Sequence, residues 1–222
     1  MSGILYIVAT PIGNLQDLSP RAREVLASAD FVLCEDTRVT GKLLKAFEIE
    51  AELSSLHQHS SDSDIAKAVD QLKAGAKLAY VSDAGTPGIS DPGGKLVAAA
   101  VEAGIDVSPI AGPSALITAM SVTGFPTDKF TFLGFPPNKK GRNTYFKALA
   151  DIEHTVGLYE SKHRILKTLA ELPQDRILLL ARELTKMHET LYRGTAPEVL
   201  AQLEETSQKG EFVIILAPKN WN

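Results

Sequence analysis

Four stretches hold residues whose types and spacing could do chemistry: Thr10-Pro11-Ile12-Gly13-Asn14, Glu35-Asp36-Thr37-Arg38, the run from Ser82 to Gly94, and Ala111-Gly112-Pro113-Ser114. The third packs four glycines, two prolines and two aspartates into one loop. Glycine lets the main chain approach a ligand closely or take positive φ, and proline stiffens the loop so that less entropy is lost on binding. The composition describes a preformed cradle lined largely by backbone. No G-x-G-x-x-G follows the first apolar run, and Gly41-Lys42 is followed by leucine rather than by the hydroxyl residue of a phosphate-binding loop. Phosphate is therefore a poor fit. Asp83 in such a cradle would accept hydrogen bonds from ribose hydroxyls or from an amino group.

Each of these stretches directly follows a short apolar run, so the runs must position them. Apolar runs at Ile4 to Ala9, Phe31 to Cys34, Leu78 to Val81, Val107 to Ile110, Phe130 to Leu133, Val156 to Tyr159, Ile177 to Ala181 and Phe212 to Ala217 read as buried strands. Helical spacing lies between most of them, at Ser19 to Ser28, Asp64 to Ala74, Gly94 to Ala103, Ser114 to Met120, Thr144 to Asp151, Arg164 to Glu171 and Pro197 to Thr206. Ser19-Pro20 and Thr195-Ala196-Pro197 supply helix starts, and Gly75 and Gly104 helix stops. Strand then helix, repeated, predicts an α/β protein with largely parallel sheets. In such sheets the strands' carboxyl ends face one side, so the four loops are expected to converge on one rim. The break at Gly124-Phe125-Pro126-Thr127 divides the pattern into an N-terminal domain, 1–120, and a C-terminal domain, 121–222.

The chain has 222 residues, 44% of them apolar, with 23 Lys and Arg against 27 Asp and Glu and a net charge of −4. That is enough to bury a core and excludes disorder. The single thiol, Cys34, excludes an intrachain disulfide and cysteine-rich zinc ligation, which suits a reducing cytoplasm. No apolar run approaches the ~20 residues that span a bilayer, so no membrane role is expected. One segment runs against the overall charge: Lys129, Lys139, Lys140, Arg142 and Lys147 lie together with no acidic residue between them. Such a patch suits a phosphate backbone, with Phe135 and Tyr145 available to stack on bases. The Pro-Pro and Lys-Lys-Gly composition between them predicts a mobile loop.

The stretches LYIVATPIGNL (5–15), EDTR-x-TGKLL (35–44), VSDAGTPGISDPG (81–93), PIAGPSALITA (109–119), GFPPNKKGR (134–142), YESKHRI (159–165), ARELTKMHET (181–190) and GEFVIIL (210–216) resemble, in order and over nearly the whole chain, the ribosomal RNA small subunit methyltransferase I family, a branch of the tetrapyrrole methylase superfamily. The resemblance implies two α/β domains of the tetrapyrrole methylase (class III methyltransferase) type with a cofactor cleft between them. It implies a homodimer that uses S-adenosylmethionine to methylate the ribose 2′-oxygen of a cytidine in 16S ribosomal RNA, in the small ribosomal subunit. On this sequence the superfamily's cofactor positions fall on Thr10, Pro11, Asp83, Gly85, Thr86, Pro113, Ser114 and Ala115, with Tyr159, Leu184 and Ala217 as weaker transfers. Lys139, Lys140 and Arg142 are the candidate RNA contacts. The His57-Gln58-His59-Ser60 segment departs from the family's His-acidic-His-Asn pattern, and the helical extension that commonly follows the GEFVIIL-like strand is not included.

Methyl transfer from a sulfonium to oxygen is an in-line displacement, so positioning can supply most of the acceleration, and a ribose hydroxyl benefits from a proton acceptor. Candidates are Glu35 and Asp36, with Arg38 holding a phosphate or orienting a carboxylate, and Glu183 with Lys186 as a desolvated amine. The sequence does not choose among them. His57 and His59 fit RNA contacts or an exposed turn, and no metal is expected because no other ligands fall in pattern. Two other readings share these residues: a small-molecule methylase acting on a tetrapyrrole, which has no use for the basic segment, and a non-catalytic ribosome-binding protein of the same fold.

Overall fold

The computed structural model describes residues 3–57, 60–90 and 93–221, and the chain divides into two compact units, Met1–Ser114 and Ala115–Asn222. In the first unit, strands β1 (Ile4–Val8), β2 (Phe31–Cys34), β3 (Leu53–Ser55), β4 (Lys77–Val81) and β5 (Asp106–Ile110) form one sheet in the order β3-β2-β4-β1-β5. Every pairing in it is parallel. Helices α1 (Pro20–Ser28), α2 (Thr37–Ala46), α3 (Asp62–Lys73) and α4 (Gly94–Glu102) connect the strands.

Side chains alternate across a strand, so each strand feeds two cores. Leu5, Leu33, Leu78 and Tyr80 pack with Leu72 of α3 and Leu96 of α4. Val8, Val32, Cys34, Ala79 and Val81 pack with Leu26 of α1 and Leu44 of α2. A sheet buried on both faces has no use for polar alternation, which is why these strands read as continuous apolar runs. Ser19 caps α1 by accepting from the Ala22 N–H, a Ser61–Asp64 capping box starts α3, and Gly75 and Gly104 take the positive φ that ends α3 and α4. The chain leaves β1 toward β2 on one side and reaches β5 on the other, so the switch of direction falls at β1, between β4 and β5. Doubly wound sheets bind ligands outside the carboxyl ends of the strands at such a point.

The second unit contains α5 (Ala115–Ser121), β6 (Phe130–Phe132), α6 (Arg142–Asp151), β7 (Thr155–Ser161), α7 (Ile165–Glu171), β8 (Ile177–Arg182), β9 (Thr190–Thr195), α8 (Ala196–Glu205) and β10 (Glu211–Leu216). Its sheet runs β6-β7-β10-β8-β9. Here the expectation of largely parallel sheets is corrected: only β6 and β7 are parallel, and β7–β10, β10–β8 and β8–β9 are antiparallel. A parallel crossover needs a dozen or more residues, and the stretch between β8 and β9 is too short to provide one. One face of this sheet packs Leu158, Leu178, Leu180 and Ile214 against Phe146, Leu169 and Leu203 of α6, α7 and α8. On the other face α5 comes close, and a Cβ on Gly157 would stand 2.3 Å from Leu116 Cδ1.

Three elements escape the sequence pattern. Helix α2 has Gly41 and β-branched Val39 and Thr40 in its body, and it forms because Asp36 caps it and Leu44 is buried beneath it. Strands β3 and β9 are edge strands, β3 with no fully buried residue and β9 with only Tyr192 buried, and neither shows a clear period. Among the described residues no helix is long and apolar enough to cross a membrane.

Just beyond β5, the main chain at Gly112 passes so close to the end of β1 that a Cβ there would lie 2.9 Å from Ala9 Cβ and 3.3 Å from Ala9 O. Neither atom belongs to a side chain that can swing away. Gly112→Ala is expected to cost ~1–3 kcal/mol in urea unfolding through overpacking; an unchanged midpoint would show that the two loops part without strain.

Candidate functional site

The loops after β1, β2, β4 and β5 meet at the carboxyl edge of the first sheet, and hydrogen bonds tie them to one another. Thr10 N–H donates to Gly85 O at 2.9 Å and Gly85 N–H donates to Thr10 O at 3.0 Å, a reciprocal bridge between the loops that follow the central strands β1 and β4. Thr10 is 1% exposed, and its hydroxyl donates to Ser82 O at 3.3 Å. Gly85 makes this possible with φ of +80°. Thr86 Oγ1 donates to Pro113 O at 3.1 Å, joining the β4 and β5 loops. Asp36 N–H donates to Asp83 Oδ1 at 3.2 Å, joining the β2 loop as well. The predicted cofactor residues Thr10, Pro11, Asp83, Gly85, Thr86, Pro113 and Ser114 thus share one rim. Asp91 and Pro92 of the long loop lie outside the described residues.

The rim's charges are sorted by their partners. The Asp36 side chain accepts from Arg38 N–H at 2.8 Å as the cap of α2, and takes the Arg38 guanidinium at 3.0 Å through Nε and 2.6 Å through Nη2. These contacts, the Arg38 side-chain hydrogen bonds foremost, hold the Asp36 carboxyl down to about 2. Of the two roles open to Arg38, orienting a carboxylate is the one the geometry provides. Asp36 is correspondingly a weak proton acceptor. Asp83 moves the other way, pushed up by burial and by the neighbouring Asp36 charge against the help of the Asp36 N–H. Glu35, at the end of β2, is half-buried beside them.

In the second unit Tyr159 lies near the end of β7, its hydroxyl accepting from Leu116 N–H at 3.2 Å and its ring edge-packed with Phe132 and Phe135. Ala115 opens α5, one residue before that N–H. Leu184 is buried between Glu183 and Thr185, both non-glycine residues with positive φ, at 53° and 65°. Glu183 Oε1 accepts from Glu211 N–H at 2.9 Å and from Lys186 Nζ at 3.0 Å, and Lys186 Nζ also reaches Glu211 Oε2 at 2.9 Å. Burial would lower the Lys186 ammonium, but its bonds to Glu211 and Glu183 outweigh that and hold it above its ordinary value. The expectation of a lysine base with a lowered pKa is therefore corrected. Burial would raise Glu183, and the Glu211 N–H and Lys186 more than reverse it.

Ala217 does not join these residues. Strand β10 is antiparallel to β7 and β8, with Leu216 paired to Val156 and Leu178, so Ala217 sits roughly 20 Å along the strand direction from the Glu211 end where Glu183 lies. Its N–H donates to Ile177 O and its carbonyl takes Arg176 Nε. The antiparallel sheet places this strand end at the edge opposite Glu183. Sequence reasoning did not single out Thr185, whose buried hydroxyl has no hydrogen-bond partner among the described residues. Its place within the matched ARELTKMHET stretch was the available signal.

The basic segment changes most. Lys129, Lys139, Lys140 and Lys147 are exposed, but Arg142 is 4% exposed, with Nε on Glu171 Oε2 at 2.6 Å, Nη1 on Pro137 O at 2.9 Å and Nη2 on Thr168 Oγ1 at 2.8 Å. Arg142 is corrected from an RNA contact to a buried anchor. Tyr145 is corrected too: its hydroxyl is buried, and burial together with the Glu160 charge pushes its pKa up, whereas Phe135 stays 50% exposed. His57 is exposed in a turn closed by its N–H on Ser60 Oγ, and His59 lies outside the described residues.

This donor set can be tested against a ligand with a sulfonium, an ammonium and ribose hydroxyls. The rim of the first unit offers backbone carbonyls, a carboxylate and a positive-φ glycine approach, and its Arg38 is already paired with Asp36. The residues fit. A model of the family of Tetrapyrrole (Corrin/Porphyrin) Methylases matches residues 4–200. A solved uroporphyrin-III C-methyltransferase of Thermus thermophilus, complexed with S-adenyl homocysteine, superposes with a TM-score of 0.65 over 97% of each chain at 17% identity. Ribosomal RNA small subunit methyltransferase I of Synechocystis sp. is 49% identical over 97% of this chain and 79% of its own, and that of Xylella fastidiosa is 49% identical over 96% and 81%. The chain belongs to the tetrapyrrole methylase family and, within it, to the ribosomal RNA small subunit methyltransferase I family.

The Asp36–Arg38 pair has a testable pH signature. A carboxyl held near 2 against an ordinary 3.8 contributes stability that is present above about pH 4 and is lost as pH falls through 2. Arg38→Ala is expected to move the Asp36 midpoint, followed by carboxyl carbon NMR, up toward 3.8. A midpoint that stays near 2 would assign the depression to the helix cap instead.

Proposed function

We propose that this protein transfers the methyl group of S-adenosylmethionine to the 2′-oxygen of a cytidine ribose in 16S ribosomal RNA. The observation that carries the reading is 49% identity, across 97% of the chain, to a protein named as a ribosomal RNA small subunit methyltransferase. Supporting it are the S-adenyl homocysteine held by a structure of the same fold and the neutral-to-acidic rim. When bound, the cofactor supplies an electrophilic methyl group on a sulfonium. In the first unit the residues assigned to hold it are Thr10, Pro11, Asp83, Gly85, Thr86, Pro113 and Ser114, and the second unit's candidates are Ala115, Tyr159 and Leu184.

Backbone carbonyls of the β1, β4 and β5 loops accept from the cofactor's donors, and Asp83 accepts from its hydroxyl or ammonium groups. Because the loops are already joined to one another, little ordering is left to do on binding. The ribose hydroxyl needs a group to take its proton. Asp36 is committed to Arg38 and to capping α2, Lys186 is held protonated, and Glu183 is held ionised by Lys186 and the Glu211 N–H. We draw the proton acceptor from the candidate carboxylates of the two units, Glu35 of the β2 loop and Glu183. Lys139 and Lys140 are assigned to the RNA backbone, a use that a tetrapyrrole substrate would not have for them. A homodimer acting on the small ribosomal subunit in the cytoplasm completes the proposal; light scattering is expected to give about twice 23.9 kDa, and the mass of a single chain would overturn the dimer.

With tritiated S-adenosylmethionine and small subunits from a strain lacking this activity, label is expected on a cytidine ribose; label on a base, or none despite cofactor binding, overturns the reading. Asp83→Ala is expected to weaken cofactor binding at least ~10-fold by calorimetry without unfolding the protein, the loss of one or two hydrogen bonds to a charged group. Lys139→Glu with Lys140→Glu is expected to abolish RNA binding and leave cofactor affinity unchanged, whereas persisting RNA binding would remove both lysines from the interface.

A further inference from the structure

The loop 134–141, which carries Lys139 and Lys140, has the composition of a mobile segment, yet it is held at four carbonyls. Gly134 O accepts from Tyr159 N–H at 3.0 Å and Lys139 O from Arg142 N–H at 3.3 Å. Between them, Arg164 Nη1 donates to Pro136 O at 2.9 Å and Arg142 Nη1 to Pro137 O at 2.9 Å. Two guanidinium groups grip consecutive proline carbonyls. Proline brings fixed φ and no N–H, so the loop is stiff and its carbonyls are the handles available there.

The arginines are fixed in turn from below. Arg164 Nη2 pairs with Glu160 Oε1 at 2.8 Å, and Arg142 Nε with Glu171 Oε2 at 2.6 Å. Thr168 links the two pairs, its hydroxyl accepting from Arg142 Nη2 at 2.8 Å and donating to Glu160 Oε2 at 2.6 Å. The Glu160 carboxylate is fully buried and also accepts from Ser161 N–H at 2.7 Å. A buried network of this kind stabilises less than apolar side chains of the same volume would, which makes a positioning role a better account of it than stability. The two guanidinium groups are each matched by a carboxylate, with Lys167 also 3.9 Å from Glu171, so the arginines add little to the positive field, and the exposed charges on the loop itself are Lys139 and Lys140.

We propose that Arg142 and Arg164, anchored by Glu160 and Glu171, are positioning residues that hold the 134–141 loop in one conformation, so that Lys139 and Lys140 meet a ribose-phosphate chain already arranged. The proposal rests on the reading of the substrate as RNA. Its physical content is preorganisation: lysines on a fixed loop lose less freedom on binding than lysines on a mobile one.

Arg164→Lys tests it, because a lysine keeps the charge beside Glu160 but lacks the fork that reaches Glu160 and Pro136 together. Arg142→Lys is the second variant should the first fold poorly. Tryptic cleavage after Lys139 and Lys140 is expected to accelerate ~10-fold in either variant, with cleavage elsewhere unchanged. Affinity for small-subunit ribosomal RNA is expected to fall ~5- to 10-fold, the scale of one charge-assisted hydrogen bond. In a background carrying Lys139→Ala and Lys140→Ala, the same arginine change is expected to have no further effect on RNA affinity. Equal losses in both backgrounds, or unchanged tryptic cleavage, would overturn the proposal while leaving the RNA reading intact. If the unaltered protein binds no RNA, the substrate reading fails and the proposal fails with it.

Discussion

The reciprocal hydrogen bonds between Thr10 and Gly85 are the constraint on which the rest of the first unit's site depends. They close the gap between the loops that follow β1 and β4, the adjacent central strands of a parallel sheet, at the point where the chain reverses its direction of winding. A parallel sheet places all its carboxyl ends on one side and covers both faces with helices, so the rim is the one place where main-chain groups can face a ligand. Once these two loops are fixed, the Thr86 bond to Pro113 O and the Asp36 bond to Asp83 bring in the loops of β5 and β2. The site is an extension of the sheet's own hydrogen bonding. That explains why main-chain contacts dominate it and why glycine occupies its closest approaches.

Electrostatics divides the molecule's charged groups into those with a partner and those that face solvent. Asp36, Arg38, Glu183, Lys186, Arg142 and Arg164 each have a counter-charge within hydrogen-bond distance. These pairs cap helices, brace a loop with two positive φ values, or hold a stiff segment in place. Lys139 and Lys140 stand apart as exposed charges on that segment. A charge committed to structure contributes little to an approaching polyanion, because its field is already neutralised at close range. The local positive potential of a net-acidic protein therefore comes from fewer residues than its basic composition suggests.

Much of this was legible from the order of residue types. Apolar runs buried on both faces, helix caps at Ser19 and Thr195, and glycine stops at Gly75 and Gly104 are local features that short-range physics reads directly. The convergence of the four loops followed from one topological fact about parallel sheets. The ordered motifs from Leu5 to Leu216 were enough to indicate the family. Helix α2 and the edge strands β3 and β9 were not legible, since their own propensities are poor and neighbouring packing holds them in place.

The sequence by itself determined most of the element types, the rim of the first unit, and which residues carry charge. Tertiary structure alone decided strand direction in the second sheet, and with it the placement of Ala217 at the end away from Glu183. It also decided which charges are spent on each other: Arg142 and Lys186 look like free cations in a string of letters, but carboxylates distant in sequence neutralise them. Direction and pairing are set by contacts between residues far apart along the chain, and the sum of those contacts is not written in any local pattern.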